Sequence, residues 1–359
     1  MKILQVDEEI YKIFSNSLKV TDVLPANVYS VGFHPQNGFY LKVHNPLTVT
    51  EKLYGNHEQK VDKILKAYSL FERSLGVIFS GDKGIGKSIA ARMLCEKALA
   101  LGYPVILIEN NYAGLAQYID SINQECVILF DEFEKIFKKH YDRDEGESDY
   151  SNQEKLLNLF DGTSKVKHLY IITCNNIWDI SSFITNRPGR FHYHIRWQYP
   201  SEDEIIAYMK DKVDEKYHNE INNVIEFATK VTLNYDCLRA ISFELNMGLP
   251  FKEAIADLNI KNTEHDYYNI HVIFEDGSEY KTSETLDLFD NKNRSFWFNC
   301  VGNRRDELLI NIYLGDIRYI NGKLVLDKDK IFVEDIKETK KVKEAWIEKV
   351  KEENYEYKF

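Results

Sequence analysis

Leu75-Gly-Val-Ile-Phe-Ser-Gly-Asp-Lys-Gly-Ile-Gly-Lys-Ser88 is the stretch from which the fold is read. It opens with an apolar run of the kind that forms a strand buried on both faces. The pattern G-x-x-x-x-G-K-S follows, and then Ile89-Ala-Ala-Arg-Met-Leu with a helical pattern. Strand, glycine loop and helix in this order make a cradle for phosphate. Gly81, Gly84 and Gly86 let the backbone curl until successive N–H groups face inward, and the helix start adds its positive end. Lys87 is placed to reach a β- or γ-phosphate, and Ser88 to hold Mg²⁺. Asp82, Lys83, Ile85 and Ile89 complete the loop.

A second apolar run, Cys126-Val-Ile-Leu-Phe130, ends in Asp131-Glu132. A carboxylate at the end of a central strand beside a phosphate loop is where a Mg²⁺ shell needs one, so Asp131 is the expected metal-orienting residue. Glu132 is the expected general base that activates water. A third run, Leu169-Tyr-Ile-Ile-Thr-Cys, leads to Asn175 and Asn176. An amide at the end of that strand has two chemical options, the attacking water or the γ-phosphate. Further on, Arg187-Pro-Gly-Arg190-Phe191 sets two arginines around a Pro-Gly turn. Such a turn presents both guanidiniums outward.

These blocks, in this order and spacing, resemble the AAA family of the AAA+ ATPases, the family of NSF, katanin and the FtsH-like proteases. The resemblance covers roughly residues 50 to 245. It implies an α/β fold: a RecA-like P-loop core with a parallel sheet, followed by a helical lid. It implies ATP and Mg²⁺ as ligands and Asn176 as the γ-phosphate sensor, with Asn175 as runner-up. It also implies that Arg187 and Arg190 act on the nucleotide of a neighbouring subunit, so the active form is a homo-oligomeric ring, most often of six. Tyr54 and Gly55 match the linker that packs on adenine. Tyr112-Ala-Gly114 matches a loop that grips polypeptide, with plain packing of Tyr112 as the other reading. Arg239 lies where some relatives carry a nucleotide-contacting arginine; it either does this or pairs on the lid surface.

The rest of the chain fits four segments: a hairpin-like unit over 1–50, the core over 51–198, the lid over 199–262, and an antiparallel β domain with a terminal helix over 263–359. Ser201 and Glu204 have capping-box spacing at the lid's first helix. A short helix is expected at Glu8–Phe14 and another at Lys340–Tyr355. About six strands lie between 268 and 326, with type I′ turns at Asp276-Gly277 and Asn321-Gly322. Within them, Phe296-Trp297-Phe298 reads as core more than as a base-stacking platform. The 359 residues carry a net charge of −11, which argues against broad nucleic-acid affinity. No apolar run approaches the roughly 20 residues of a membrane span. Five scattered cysteines read as reduced thiols. A cytoplasmic, non-membrane protein acting on a protein substrate or adaptor is expected. DNA handling and a nucleotide-gated scaffold are the alternatives.

Overall fold

The apolar runs are strands in the computed structural model. It describes residues 2–7, 10–14, 19–137, 151–161, 166–185, 187–260, 266–286, 288, 295–302, 307–314, 317–320, 323–334 and 340–350. The chain forms two compact units, Met1–Tyr199 and Pro200–Phe359. The acidic stretch 142–149 and the Asn321-Gly322 turn lie outside the described residues.

Strands of the first unit are β1 (Lys2–Asp7), β2 (Ile10–Phe14), β3 (Val28–His34), β4 (Gly38–Val43), β5 (Leu75–Ser80), β6 (Val105–Ile108), β7 (Val127–Phe130), β8 (Leu169–Cys174) and β9 (Tyr193–Arg196). Its helices are α1 (His57–Leu70), α2 (Lys87–Ala100), α3 (Leu115–Asp120), α4 (Phe133–Ile136), α5 (Ser151–Glu154), α6 (Leu157–Phe160) and α7 (Ser182–Thr185). Seven strands form one sheet in the order β4-β3-β6-β7-β8-β5-β9, parallel throughout except for β4. Every residue of β5, β6, β7 and β8 is buried. The reason is a layer on each face. On one, Val77 and Phe79 pack with Val61 and Ile64 of α1 and Ala90 and Leu94 of α2. On the other, Ile78, Ile128 and Ile172 pack with Leu115 of α3, Phe133 of α4, Phe160 of α6 and Ile184 of α7. From β5 the chain passes to β6 on one side, and β9 later joins β5 on the other. The loop after β5 therefore sits where the strand order reverses, the place where open α/β sheets bind ligands.

β3 and β4 add two strands to the outer edge of this sheet, through the pairing of β3 with β6. The helix expected at Glu8–Phe14 is absent: Ile10–Phe14 is a strand paired antiparallel with Lys2–Asp7.

The second unit opens with α8 (Glu202–Lys212), α9 (Ile221–Lys230), α10 (Tyr235–Asn246) and α11 (Phe251–Ala254). Ser201 and Glu204 form the capping box. The strands β10 (Asp266–Phe274), β11 (Glu279–Leu286), β12 (Ser295–Gly302), β13 (Glu307–Tyr313), β14 (Arg318–Ile320), β15 (Lys323–Val325), β16 (Phe332–Glu334) and β17 (Val342–Lys349) follow. They form one antiparallel sheet in the order β14-β15-β17-β10-β11-β12-β13-β16. The terminal helix is thus corrected to a strand at 342–349. Burial alternates there, with Ala345 and Ile347 in the core and Trp346 stacked on His271 across the other face. Tertiary pairing overrides the helix propensity of a Lys- and Glu-rich segment.

The Asp276-Gly277 turn is also not type I′. Gly277 has φ +80° but Asp276 has no positive φ, so a longer loop closes with a left-handed glycine. Of the three aromatics, Phe298 is core, Phe296 packs against it, and Trp297 faces out, 52% exposed.

Candidate active site

Five elements meet at the carboxyl ends of the parallel strands. Gly81, Gly84 and Gly86 all have positive φ, and Gly86 caps the start of α2. At Gly81 a Cβ would collide with the Trp197 carbonyl, so only glycine fits there. Lys87, in the first turn of α2, is 7% exposed. Its ammonium donates to the Asp82 carbonyl at 2.5 Å and to Asn175 Oδ1 at 3.1 Å. Burial lowers its pKa, against the pull of nearby Cys174, Glu134, Asp82 and Asp131. A phosphate arriving here meets a cation short of counter-charge.

Opposite the loop, Ser88 donates to Asp131 Oδ1 at 3.0 Å. A hydroxyl and a carboxylate side by side are a hard-oxygen donor set of the kind Mg²⁺ takes together with phosphate and water. These residues therefore fit the ion. Thr173, buried at the end of β8, was missed by the sequence reading. It donates to Asp131 Oδ1 at 2.6 Å and accepts the Glu132 N–H at 2.8 Å, so one hydroxyl fixes both acidic residues. Its signal was a single polar side chain in an otherwise apolar strand. Glu132 has φ +55°, a strained conformation for a residue other than glycine. Its carboxylate pairs with Lys135 at 2.5 Å.

The two asparagines separate. Asn175 faces the loop through Lys87, whereas the Asn176 side chain accepts the Trp178 N–H and caps a 3-10 turn at Ile177–Asp179. Of the two asparagines at this strand end, Asn175 is therefore the one beside the phosphate loop, while the side-chain oxygen of Asn176 is taken up by the turn. The reason is local: the residue that caps the turn after the strand spends its oxygen on the backbone.

The two arginines separate as well. Arg190 is 8% exposed and turned inward. It pairs bidentately with Asp161 and donates to the Phe183 carbonyl at 2.6 Å. Only Arg187 is exposed, which corrects the expectation of two outward guanidiniums. The Pro-Gly turn reverses the chain within three residues, so the second arginine points back into the fold.

Around the linker, Tyr54 is buried and Gly55 has φ +71°. No motif marks the next contact: His57, at the start of α1, lies against Trp197 with ring centres 4.0 Å apart. Trp197 in turn lies against Gly81 and donates its backbone N–H to Ser80 at 2.7 Å. Ser80 Oγ is 2.7 Å from His194 Nε2. Tyr112 is half-buried against Phe33 and Phe39 of the β3–β4 hairpin. Arg239 belongs to the second unit, on the exposed side of α10, 3.7 Å from Asp236.

With this geometry in place, comparison with known proteins defines the class. Residues 77–199 match the family model described as ATPase family associated with various cellular activities (AAA), and this segment is an AAA domain. Among curated proteins, the chain is similar to the vesicular-fusion protein SEC18 of Candida albicans, at 22% identity. The similarity covers 48% of this chain and 29% of that protein, so the chain spans less than a third of its relative. No helix among the described residues is long and apolar enough to cross a membrane.

Proposed function

We propose that this chain hydrolyses ATP with Mg²⁺ and, assembled as a ring, spends the energy on remodelling a protein partner. The observation that carries the reading is the convergence of Lys87, Ser88, Asp131, Thr173 and Asn175 at the ends of three adjacent strands. Backbone N–H groups of residues 81–88 and the Lys87 ammonium bind the phosphate oxygens. Ser88 and Asp131 hold Mg²⁺, which when bound neutralises charge on the β- and γ-oxygens. Glu132 takes a proton from the attacking water as the γ-phosphorus–oxygen bond to ADP breaks. Arg187, exposed on its own subunit, supplies positive charge to the site of the next one. The ring and the protein partner rest on the family and on the similarity to SEC18. Bases for the DNA and scaffold alternatives are weaker: the net charge is −11, and the whole hydrolytic set is present.

The test is the mass of the Glu132→Gln protein with and without ATP and Mg²⁺, by light scattering at several concentrations. We expect ATP binding, turnover reduced at least 100-fold, and a nucleotide-dependent rise from the 42.2 kDa monomer to about six times that mass. A nucleotide-bound protein that stays monomeric at every concentration would sink the ring, and Lys87→Ala that still binds ATP would sink the site.

A further inference from the structure

Glu134 stands three residues after Asp131, in the single turn of α4. Its Oε1 accepts two hydrogen bonds from one residue: the Asn175 backbone N–H at 3.0 Å and the Asn175 side-chain N–H at 2.6 Å. Its Oε2 is shut off from solvent with no hydrogen-bond partner. A carboxylate oxygen with neither solvent nor a partner is costly to keep, so a side chain placed this way has a structural or chemical task.

Donor and acceptor chemistry fixes which way the Asn175 amide points. An ionised carboxylate only accepts hydrogen bonds and an ammonium only donates them. Glu134 lies on one side of the amide and Lys87 on the other. The NH₂ must therefore face Glu134, and the oxygen must face Lys87 and the phosphate loop. The opposite flip would set oxygen against carboxylate and NH₂ against ammonium.

We propose that Glu134 is a positioning residue that locks the Asn175 amide, so that Asn175 acts as a hydrogen-bond acceptor orienting the attacking water and not as a donor to the terminal phosphate. The inference rests on the hydrolytic reading above. When Lys87 turns to the phosphates, the Asn175 oxygen is released in place, already aimed at the region where the water must sit. Asn175 meets the reacting water; Glu134 acts only through it.

The experiment is steady-state ATP turnover by the full chain, with ADP affinity by calorimetry and thermal melts to confirm folding. Glu134→Ala is expected to lower kcat about 10–100-fold, the usual loss when an outer partner of a site residue is removed. KM and the ADP Kd should stay within about threefold, because nucleotide binding does not use the amide. Glu134→Gln keeps an acceptor oxygen and should restore most of the rate. Asn175→Ala should lose at least as much as Glu134→Ala, and the double variant should be no slower than Asn175→Ala alone. Multiplying losses in the double variant, or affinity falling in step with kcat, would overturn the role of Glu134. Absent turnover in the wild-type chain would instead overturn the hydrolytic reading. One arm is independent of turnover: ¹⁵N NMR of the Asn175 side-chain amide. Its resonances should move toward those of a free amide in Glu134→Ala, and unmoved resonances would refute the lock.

Discussion

At the scale of single residues, the two arginines of Arg187-Pro-Gly-Arg190 make opposite demands on an experiment. Arg190→Ala removes a bidentate partner from Asp161 and a donor from the Phe183 carbonyl. Asp161 is 37% exposed, so water offsets part of the loss, and roughly 1–3 kcal/mol of stability should go. Arg187→Ala should leave the melting temperature almost unchanged, because exposed substitutions cost within about 0.5 kcal/mol, yet abolish most turnover in the assembled protein. Melts alongside turnover assays check both. A drop in melting temperature for Arg187→Ala equal to that for Arg190→Ala would undo the distinction. His168 offers a pH test. It is fully buried beside Cys126, and burial pushes its imidazole down to about 4. An unfolded histidine titrates near 6.5, so the neutral form favoured by the fold gives its full stability above that pH. The contribution drains away as pH falls from 6.5 through 4, by at most about 3 kcal/mol. His57, also buried and pushed down to about 4, adds to the same slope. Denaturant melts between pH 7 and 4 should show His168→Gln taking up about one proton fewer on unfolding; an unchanged slope would show that His168 titrates normally. The residue scale is also where the sequence was least legible. Asn175 and Asn176 are chemically identical neighbours, and only the path of the chain after β8 decides which one caps the turn. Thr173 and Glu134 matter through what lies across from them in space, which spacing along the chain does not encode.

At the scale of elements, legibility follows burial. β5, β7 and β8 were readable because a strand covered on both faces must be apolar at every position, and nothing else of that length looks the same. β17 was not, because a half-buried strand need be apolar only at alternate positions, and here Ala345 and Ile347 are set among Lys343, Glu344, Glu348 and Lys349. The strand nonetheless holds the sheet together, with β15 on one side and β10 on the other. Ile347 is completely buried and paired with both Ile270 and Leu324. Ile347→Ala should cost about 2–5 kcal/mol of the second unit's stability. Hydrogen exchange followed by mass spectrometry should show faster exchange in β10 and β15 while β5 to β8 keep their protection. Equal loss in both units, or none in either, would contradict the packing described. The β3–β4 hairpin shows a different limit. Its two strands were visible in the sequence, but not that β3 lies against β6, a pairing between residues more than 70 positions apart.

At the scale of the whole molecule, the phosphate loop, acidic strand end and polar strand end were enough to specify the AAA domain that the family comparison finds at residues 77–199. Nothing comparable marks the second unit, whose strands carry no chemical motif. Its antiparallel class was visible from alternation and turns, but not its strand order, since that depends on which half-polar segments find each other. The order has a consequence for how the protein is made. β10 emerges from the ribosome early, with β11 close behind, but the strand that must flank it on the other side is β17, about 80 residues later. At typical synthesis rates that interval lasts roughly 4–16 s. Throughout it, Tyr268, Ile270, Val272 and Phe274 lack half of their eventual cover. Slowing translation after residue 286 should lengthen that exposure, whereas the first unit, complete by Tyr199, has already left the tunnel.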